Sequence, residues 1–408
     1  MKRIIFINDG AKYSNWGIQA CSEGLKKILD ITLEGADLRP LSHSWLHKKY
    51  AWDPMLMGRY LLNRESRVAN RFIPEHLIYP KIADEFSHCA RMWTRGEGGP
   101  GSSVFIREVE NGAHAVVFNA EGSTYKNNAG AIKGLFLLWL AKKYYNIPSY
   151  FMNGSVSLTP VDSVLPAIAR KVFGEIDSVI VREPKSELNI SEFFPELRIH
   201  MAPDSAFQIQ VRPDERLTKA SVTKKPYFCF SLSMLPNDIT KRGKESSLIK
   251  LIRKLQRLIP NSVMLAKDRE DQILQLVARE TKSSFVGANH DYNDIISILS
   301  NAEFLLSGRY HHLIFSCIAG CPSIPLRSSS HKNDGLAEML SGIMCKAFDP
   351  TNLEENSDLI IKEAEKILNQ RESLGQKCTL MAERLRIDSL RQGPVSYTHL
   401  TLPTILRV

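Results

Sequence analysis

No stretch of this 408-residue chain is long and apolar enough to span a bilayer. The longest apolar run, Gly134 to Ala141, is closed by Lys133 on one side and by Lys142 and Lys143 on the other, and a membrane helix needs roughly 20 residues. A secretory leader is lacking too. Ile4 to Ile7 is too short for its apolar core and runs straight into Asn8, Asp9 and Gly10. Both absences set the expectation of a cytoplasmic protein. Cysteine is sparse: seven residues, odd in number and scattered. Cys317 and Cys321 form the one close pair, and no second pair or histidine cluster completes a zinc site. They read as buried thiols in a reducing compartment. Extended disorder is excluded over most of the chain, because 43% of its residues are hydrophobic.

What is present points to two domains, the number this length suggests. The chain carries 53 Lys and Arg against 44 Asp and Glu, a formal charge of +9. That excess favours an anionic partner such as a phosphate-bearing substrate, nucleic acid or a membrane surface. A basic protein with no such partner fits the charge equally.

Short β-branched runs alternate with amphipathic segments. Lys2 to Ile7, His114 to Phe118, Ser149 to Met152 and Ser178 to Val181 read as strands. Asn15 to Leu29, Ala129 to Tyr145 and Pro166 to Phe173 read as helices between them. After a polar linker at 213–225 the pattern restarts. Strands are expected at Tyr227 to Leu232, Ser262 to Ala266, Ser284 to Val286, Phe304 to Leu306 and Ser323 to Pro325. Helices are expected at Ser247 to Leu258, Gln272 to Ala278, His311 to Ala319 and Gly335 to Leu340. This is an α/β chain of two Rossmann-like domains facing a cleft. The expected division is an N-terminal domain over 1–212, a C-terminal domain over 226–350, and a charged helical segment over 351–392 packing back on the hinge. Residues 393–408 are suddenly Thr- and Leu-rich, resemble translated read-through of a sequencing adapter, and are expected to be non-native.

An insertion at 44–77 holds Trp45, Trp52, Met55, Met57 and Tyr60, with six basic and two acidic residues between Lys48 and Arg71. It reads either as a solvated helical insertion with its apolar face on the core or as a peripheral contact with an anionic lipid surface.

In open α/β sheets, ligands bind beyond the carboxyl ends of strands. Five polar segments sit there. Ser307-Gly308-Arg309-Tyr310-His311-His312 follows an apolar strand: Gly308 permits a tight turn, Arg309 offers a planar fork to an anion, and His311 can move protons near neutral pH. The same residues also read as a loop-capping arginine and a core histidine. Arg182-Glu183 reads as a second anion fork or a local ion pair. Asn119-Ala120-Glu121-Gly122-Ser123 is a turn bearing a carboxylate and a hydroxyl, without the Gly-Lys-Ser/Thr ending of a phosphate loop. Asn15-Trp16-Gly17 opens the first helix, to hold an anion or simply to cap. Asp204, in Pro203-Asp204-Ser205, reads as a sugar-hydroxyl ligand or a turn cap.

In this order the segments resemble the polysaccharide pyruvyl transferase family over most of residues 1–345. The likeness is carried by Asn15-x-Gly17, Asn119-Ala-Glu-Gly122, Val181-Arg182-Glu183 with Ser186, and Ala202-Pro203-Asp204. It continues through Ser307-Gly308-Arg309-x-His311, Gly320-Cys-Pro322, and His331-Lys332 with Gly335. The resemblance implies a glycosyltransferase-B-like fold and transfer of the enolpyruvyl unit of phosphoenolpyruvate to sugar hydroxyls, giving a cyclic pyruvate ketal and phosphate. It implies that Arg309 and His311 hold phosphoenolpyruvate, with His311 the acid–base residue. Arg182 would reach the same anion from the N-terminal domain. Asn15, Gly17, Glu121, Asp204 and Lys332 would serve substrate binding, Lys332 reading equally as a solvated lysine. His312 is the rival proton carrier and fits a packing role better. No metal and no cofactor beyond the donor substrate is expected, and no nucleic-acid partner. The acceptor would be a surface-polysaccharide precursor, a class often lipid-linked, which would bring the basic insertion near a membrane. One departure stands out: the family often carries Gly-Asp after the first Asn, and here Ile18 follows Gly17. Two rival readings are a sugar-nucleotide-dependent glycosyltransferase on the same fold and a non-catalytic glycan-binding relative.

Overall fold

A computed structural model describes residues 2–13, 15–47, 76–122, 124–162, 164–210, 222–232, 245–266, 272–287 and 289–393. Most of the 44–77 insertion and of the 213–225 linker, Ser123 and residues 394–408 of the expected tail lie outside the described residues. The chain divides into two compact units, and each is discontinuous in sequence. The first comprises Met1–Gly10, Leu33–Ile180 and Ile190–His200; the second comprises Ala11–Thr32, Val181–Asn189 and Met201–Val408.

The first unit is built on β1 (Arg3–Asp9), β2 (Asp37–Ser42), β3 (Ala115–Asn119), β4 (Thr124–Tyr125), β5 (Ser149–Gly154), β6 (Val156–Ser157), β7 (Ser178–Val181) and β8 (His200–Met201). Its main sheet has the order β2-β1-β3-β5-β7-β8, and β4 pairs with β6 alone. The pairs β1–β2, β1–β3 and β3–β5 are parallel. Ile4 to Ile7 and Val116 to Phe118 are buried on both faces, which is why these strands read as continuous apolar runs rather than alternating ones. The helix Ala129–Tyr145 is apolar all round and buried from Gly130 to Ala141, as a helix covering such a sheet must be. Asn128 caps its start by accepting from the Gly130 and Ala131 amides at 2.9 and 3.2 Å. Its end is closed by Asn146 in the left-handed conformation.

The second unit carries an all-parallel five-stranded sheet of β9 (Tyr227–Ser231), β10 (Asn261–Leu265), β11 (Ser284–Val286), β12 (Leu305–Ser307) and β13 (Ser323–Pro325). Its order is β11-β10-β9-β12-β13. Tyr227, Cys229 and Leu305 point into one core, shared with Trp16, Leu313 and Cys378. Phe228, Phe230 and Leu306 point into the other, shared with Leu251, Ile324 and Ile360. Side-chain alternation along each strand thus feeds a separate core on each face.

The single helix expected near the C-terminus is two, Leu353–Asn369 and Arg371–Asp388, with Gln370 between them out of helical geometry (φ −125°, ψ 18°). The two helices serve mainly different cores, with Leu374 at the start of the second still packing on the Phe228 side. Ile360, Ala364 and Ile367 pack on the Phe228 side, whereas Cys378, Ala382 and Leu385 pack on the Tyr227 side. Beyond them, Gln392 Nε2 donates to the Pro203 carbonyl at 2.8 Å and Gln208 Nε2 donates to Ser389 Oγ at 2.9 Å. The segment therefore packs within the second unit. No helix among the described residues is long and apolar enough to cross a membrane.

Candidate active site

Five of the expected residues meet in the second unit. The helix Trp16–Leu33 opens on Asn15, whose Oδ1 accepts from the Gly17 and Ile18 amides at 3.1 and 3.2 Å. Asn15 is a helix cap, and its side-chain oxygen serves that purpose. Gly17 lies against the His311 ring so closely that a Cβ there would sit 2.0 Å from Nδ1. One turn on, the Cys21 carbonyl accepts from Ser205 Oγ at 2.8 Å. A Cβ at Gly24 would strike the Ser205 carbonyl oxygen at 2.0 Å. The helix can approach the 204–206 segment only because Gly24 lacks a side chain.

Asp204 is fully buried and caps the turn Ser205–Gln208, its Oδ1 accepting from the Ala206 amide at 2.7 Å. Its Oδ2 pairs with Arg182 Nη1 at 2.7 Å, and both side chains are 0% exposed. Burial opposes ionisation of Asp204, but the Arg182 charge, His311 and the Ala206 amide together hold its carboxyl well below the usual range. The Arg182 guanidinium also lies 4.2 Å from the centre of the Tyr310 ring, a desolvated cation–π contact. His311 Nε2 faces three groups: Cys21 Sγ at 3.0 Å, Arg182 Nη1 at 3.5 Å and Asp204 Oδ2 at 3.7 Å.

Cys21, Asp204 and His311 bring their ligand atoms within 4.8 Å of one another, the spacing of a metal triad. The Arg182 guanidinium already sits against the same carboxylate and imidazole. The cluster therefore fits a hydrogen-bonded group around a fixed cation, and a divalent ion would have to displace that guanidinium.

The strand order explains why Arg309 and His311 stand where they do. Between β9 and β12 the sheet changes direction of winding, the crevice where such folds bind ligands. Ser231 ends β9 and Ser307 ends β12, with their hydroxyl oxygens 2.7 Å apart. Ser307 Oγ accepts from the Arg309 amide at 2.9 Å, and Arg309 is the N-cap residue of the helix Tyr310–Ile318. Asn333, fully buried, donates to the Gly308 and Leu326 carbonyls at 2.8 and 2.7 Å and clamps this turn. His312 takes the packing role: its ring stacks on Trp16 at 5.3 Å and its Nδ1 meets Ser231 Oγ at 2.8 Å. Cys317 and Cys321 are buried free thiols.

A second group supports Arg182 from behind. Glu183 and Ser186 are fully buried and hydrogen-bonded to each other, with His331 Nε2 3.3 Å from Ser186 Oγ. Gly335 leaves room for Glu183, since a Cβ there would lie 2.1 Å from Oε2. Lys332, half-buried, opens the helix Lys332–Met339 next to His331.

Glu121 belongs to the first unit, at that sheet's own winding change between β1 and β3. There Asn8, Glu121 and Asn153 all adopt left-handed backbone, at φ 70°, 40° and 57°, a costly conformation that gathers at functional sites. Asn8 Nδ2 donates to the Asn119 carbonyl at 2.7 Å, and its Oδ1 lies 2.7 Å from His43 Nδ1. The His43 and His47 rings are 4.1 Å apart. Burial lowers the pKa of both, taking His47 down to about 4, against the opposing pull of Glu121. The two imidazoles here are thus held uncharged between the Glu121 carboxylate and Lys133, whereas in the other group the Arg182 charge is paired with Asp204.

Sequence reasoning missed Cys21, Ser231, Ser307, Asn333, His43 and His47. Ser307 and Asn333 lay inside or beside quoted motifs. Cys21 gave no signal, because a small apolar residue on the inner face of a helix reads as core.

Comparison with solved structures agrees with this architecture. The chain is similar to UDP-GlcNAc 2-epimerase from Methanocaldococcus jannaschii, with a TM-score of 0.53 at 13% identity, covering 90% of this chain and 93% of that one. It is also similar to MurG from Acinetobacter baumannii, with a TM-score of 0.50 at 11% identity over 96% and 97%. A third likeness is to the apo structure of OtsA, with a TM-score of 0.56 at 9% identity over 99% and 100%. At such identities these likenesses show the fold, which is glycosyltransferase-B-like. No curated protein matches in sequence. The model of the polysaccharide pyruvyl transferase family matches residues 19–330, and the chain belongs to that family.

Proposed function

We propose that this member of the family transfers the enolpyruvyl unit of phosphoenolpyruvate to two hydroxyls of a sugar in a surface-polysaccharide precursor. The products are a pyruvate ketal and phosphate. The observation that carries this reading is the buried group of Arg182, Asp204 and His311 in the second unit, with Arg309 opening the helix that bears His311. Arginine forks suit a small donor bearing both phosphate and carboxylate. The His311 imidazole stands beside Arg182, a group fit to give and take protons near neutral pH.

The chemistry balances without an outside reductant or oxidant. A proton adds to the methylene carbon, which becomes the methyl group. One sugar hydroxyl adds to the neighbouring carbon, the C–O bond to phosphate breaks, and a second hydroxyl closes the ketal. Of the two hydroxyl protons, one matches that given to the methyl and one leaves with phosphate. His311 serves these proton transfers, which typically contribute about 10²- to 10⁴-fold. Asp204 keeps the buried Arg182 in place, and the Glu183–Ser186–His331 group supports the segment that carries it. Lys332 adds positive charge beside them. The group of Asn8, His43, His47 and Glu121, two uncharged imidazoles with an amide and a carboxylate, offers hydrogen bonds to a polyol and takes the acceptor.

The test is donor dependence. Purified protein with phosphoenolpyruvate and a panel of free and lipid-linked glycans should release phosphate. Substituting His311→Gln should abolish release while phosphoenolpyruvate binding persists. Nucleotide release from a nucleotide sugar instead would establish the glycosyltransferase alternative. Sedimentation with anionic liposomes at low salt tests the membrane contact, and no binding there removes it.

A further inference from the structure

His311 and Asp204 face each other at ion-pair distance without a short hydrogen bond. Their nearest polar atoms, Nε2 and Oδ2, are 3.7 Å apart, beyond hydrogen-bond range. The Cys21 thiol bridges the gap. Its Sγ donates to Asp204 Oδ1 at 3.2 Å and lies 3.0 Å from His311 Nε2. We propose that Cys21 is a positioning residue of the site, linking His311 to Asp204 through its thiol and holding a proton on His311 Nε2.

The direction of the chain follows from donor and acceptor capacity. A thiol has one hydrogen and a weakly accepting sulfur. With the hydrogen directed to the carboxylate, the sulfur accepts from Nε2–H at 3.0 Å, and the donor-only Arg182 Nη1, at 3.5 Å, then acts on the ring by its charge and not by a hydrogen bond. Asp204 stays ionised because Arg182 pairs with it, so the carboxylate end of the chain is fixed. Among the described residues, the charged groups near His311 oppose one another. Arg182, 3.5 Å from Nε2, disfavours a second proton on the ring. Asp204, acting through Cys21, favours it. The Tyr310 and Phe315 rings, 5.3 and 6.5 Å away, add no charge. Cys21 also differs from the buried thiols of Cys317 and Cys321, which face backbone carbonyls. Its own position is held by Ser205 Oγ on its carbonyl and by the close approach that Gly24 permits.

The catalytic consequence rests on the proposed pyruvyl transfer; the linkage itself does not. The test therefore has two arms on the full chain, using Cys21→Ser, Cys21→Ala and Cys21→Val. The first is ¹⁵N NMR of ring-labelled histidine, with the His311 signals identified by their loss in His311→Gln. Wild type and Cys21→Ser should show the Nε2–H tautomer. Cys21→Ala and Cys21→Val should lose that preference, with the His311 pKa falling by about one unit. The second arm is phosphate release. The acid limb of the kcat profile should move with the His311 pKa in Cys21→Ala and return in Cys21→Ser, while KM for phosphoenolpyruvate stays within about twofold. Unchanged His311 tautomer and titration in folded Cys21→Ala and Cys21→Val overturns the linkage. The NMR changes without any pyruvyl transfer leave the linkage standing and remove the reaction.

Discussion

Gly17 and His311 are in direct contact across nearly 300 residues of sequence: the imidazole rests on a backbone position that has room for no side chain, a Cβ there falling 2.0 Å from Nδ1. The glycine of the Asn-x-Gly motif is thereby explained as the seat of the imidazole.

Gly17→Ala should displace the ring from Cys21 and Arg182 while leaving the helix intact. A misplacement of about 1 Å at a reacting group can cost on the order of 10²-fold. Phosphate release should fall by about that factor, with thermal stability lowered by only about 1–3 kcal/mol from overpacking. Steady-state kinetics together with thermal denaturation separates the two effects.

Asp204→Asn should leave the Arg182 charge buried without its counterion, at a cost of about 3–5 kcal/mol near neutral pH. The sign of its pH dependence follows from a folded pKa held below the unfolded one. The stabilisation is fully present above about pH 4 and drains as pH falls below it. Urea unfolding from pH 7 to pH 3 should show the gap between wild type and Asp204→Asn narrowing at the acid end.

His47 acts in the same direction but in a higher pH window. Burial, His43 and Lys133 push it down to about 4, below its unfolded value of about 6.5. The unfolded chain therefore takes up the proton first, and stability falls between about pH 6.5 and pH 4, by up to about 3 kcal/mol. His47→Gln should flatten this part of the stability curve and leave stability at pH 8 nearly unchanged.

Gly335→Ala should push a Cβ into Glu183 Oε2, 2.1 Å away, and disturb the Glu183–Ser186 bond behind Arg182. The expected loss is about 1–3 kcal/mol. Calorimetry should register it, and the larger Gly335→Val should be worse.

The sequence announced the apolar strands, at sheet edges as well as at the centre, and concealed the polar one. Ser178–Val181, Ser284–Val286 and Ser323–Pro325 coincide with their expected limits, being short apolar runs between polar breaks. The strand Asp37–Ser42 is polar, carries Pro40 and buries only Leu41. It is an edge strand with no apolar pattern to betray it, and proline is tolerated there. The helices Phe86–Thr94, Ser102–Glu110 and Pro184–Phe193 were likewise not foreseen, for each is short and carries polar residues on its outer face. At the site, the motifs at strand ends were visible because turn residues and arginines stand out after apolar runs. The partners they acquire were not. That Asn15 caps, that Asp204 pairs with Arg182 and that Cys21 bridges to His311 are long-range facts, absent from local spacing.

The second unit borrows Ala11–Thr32 and Val181–Asn189 from the early part of the chain, and the Cys21–His311 contact closes a loop of 290 residues. During synthesis, the helix bearing Gly17 and Cys21 must wait until the strand and turn that carry His311 have left the ribosome. At about 5–20 residues per second, that delay is of order tens of seconds. In that interval the helix already has the earlier-made 204–206 segment to pack on, at Cys21 and Gly24, while the seat of the imidazole at Gly17 stays empty. The site can therefore close only after most of the chain has been made, although its first helix is among the earliest segments to emerge.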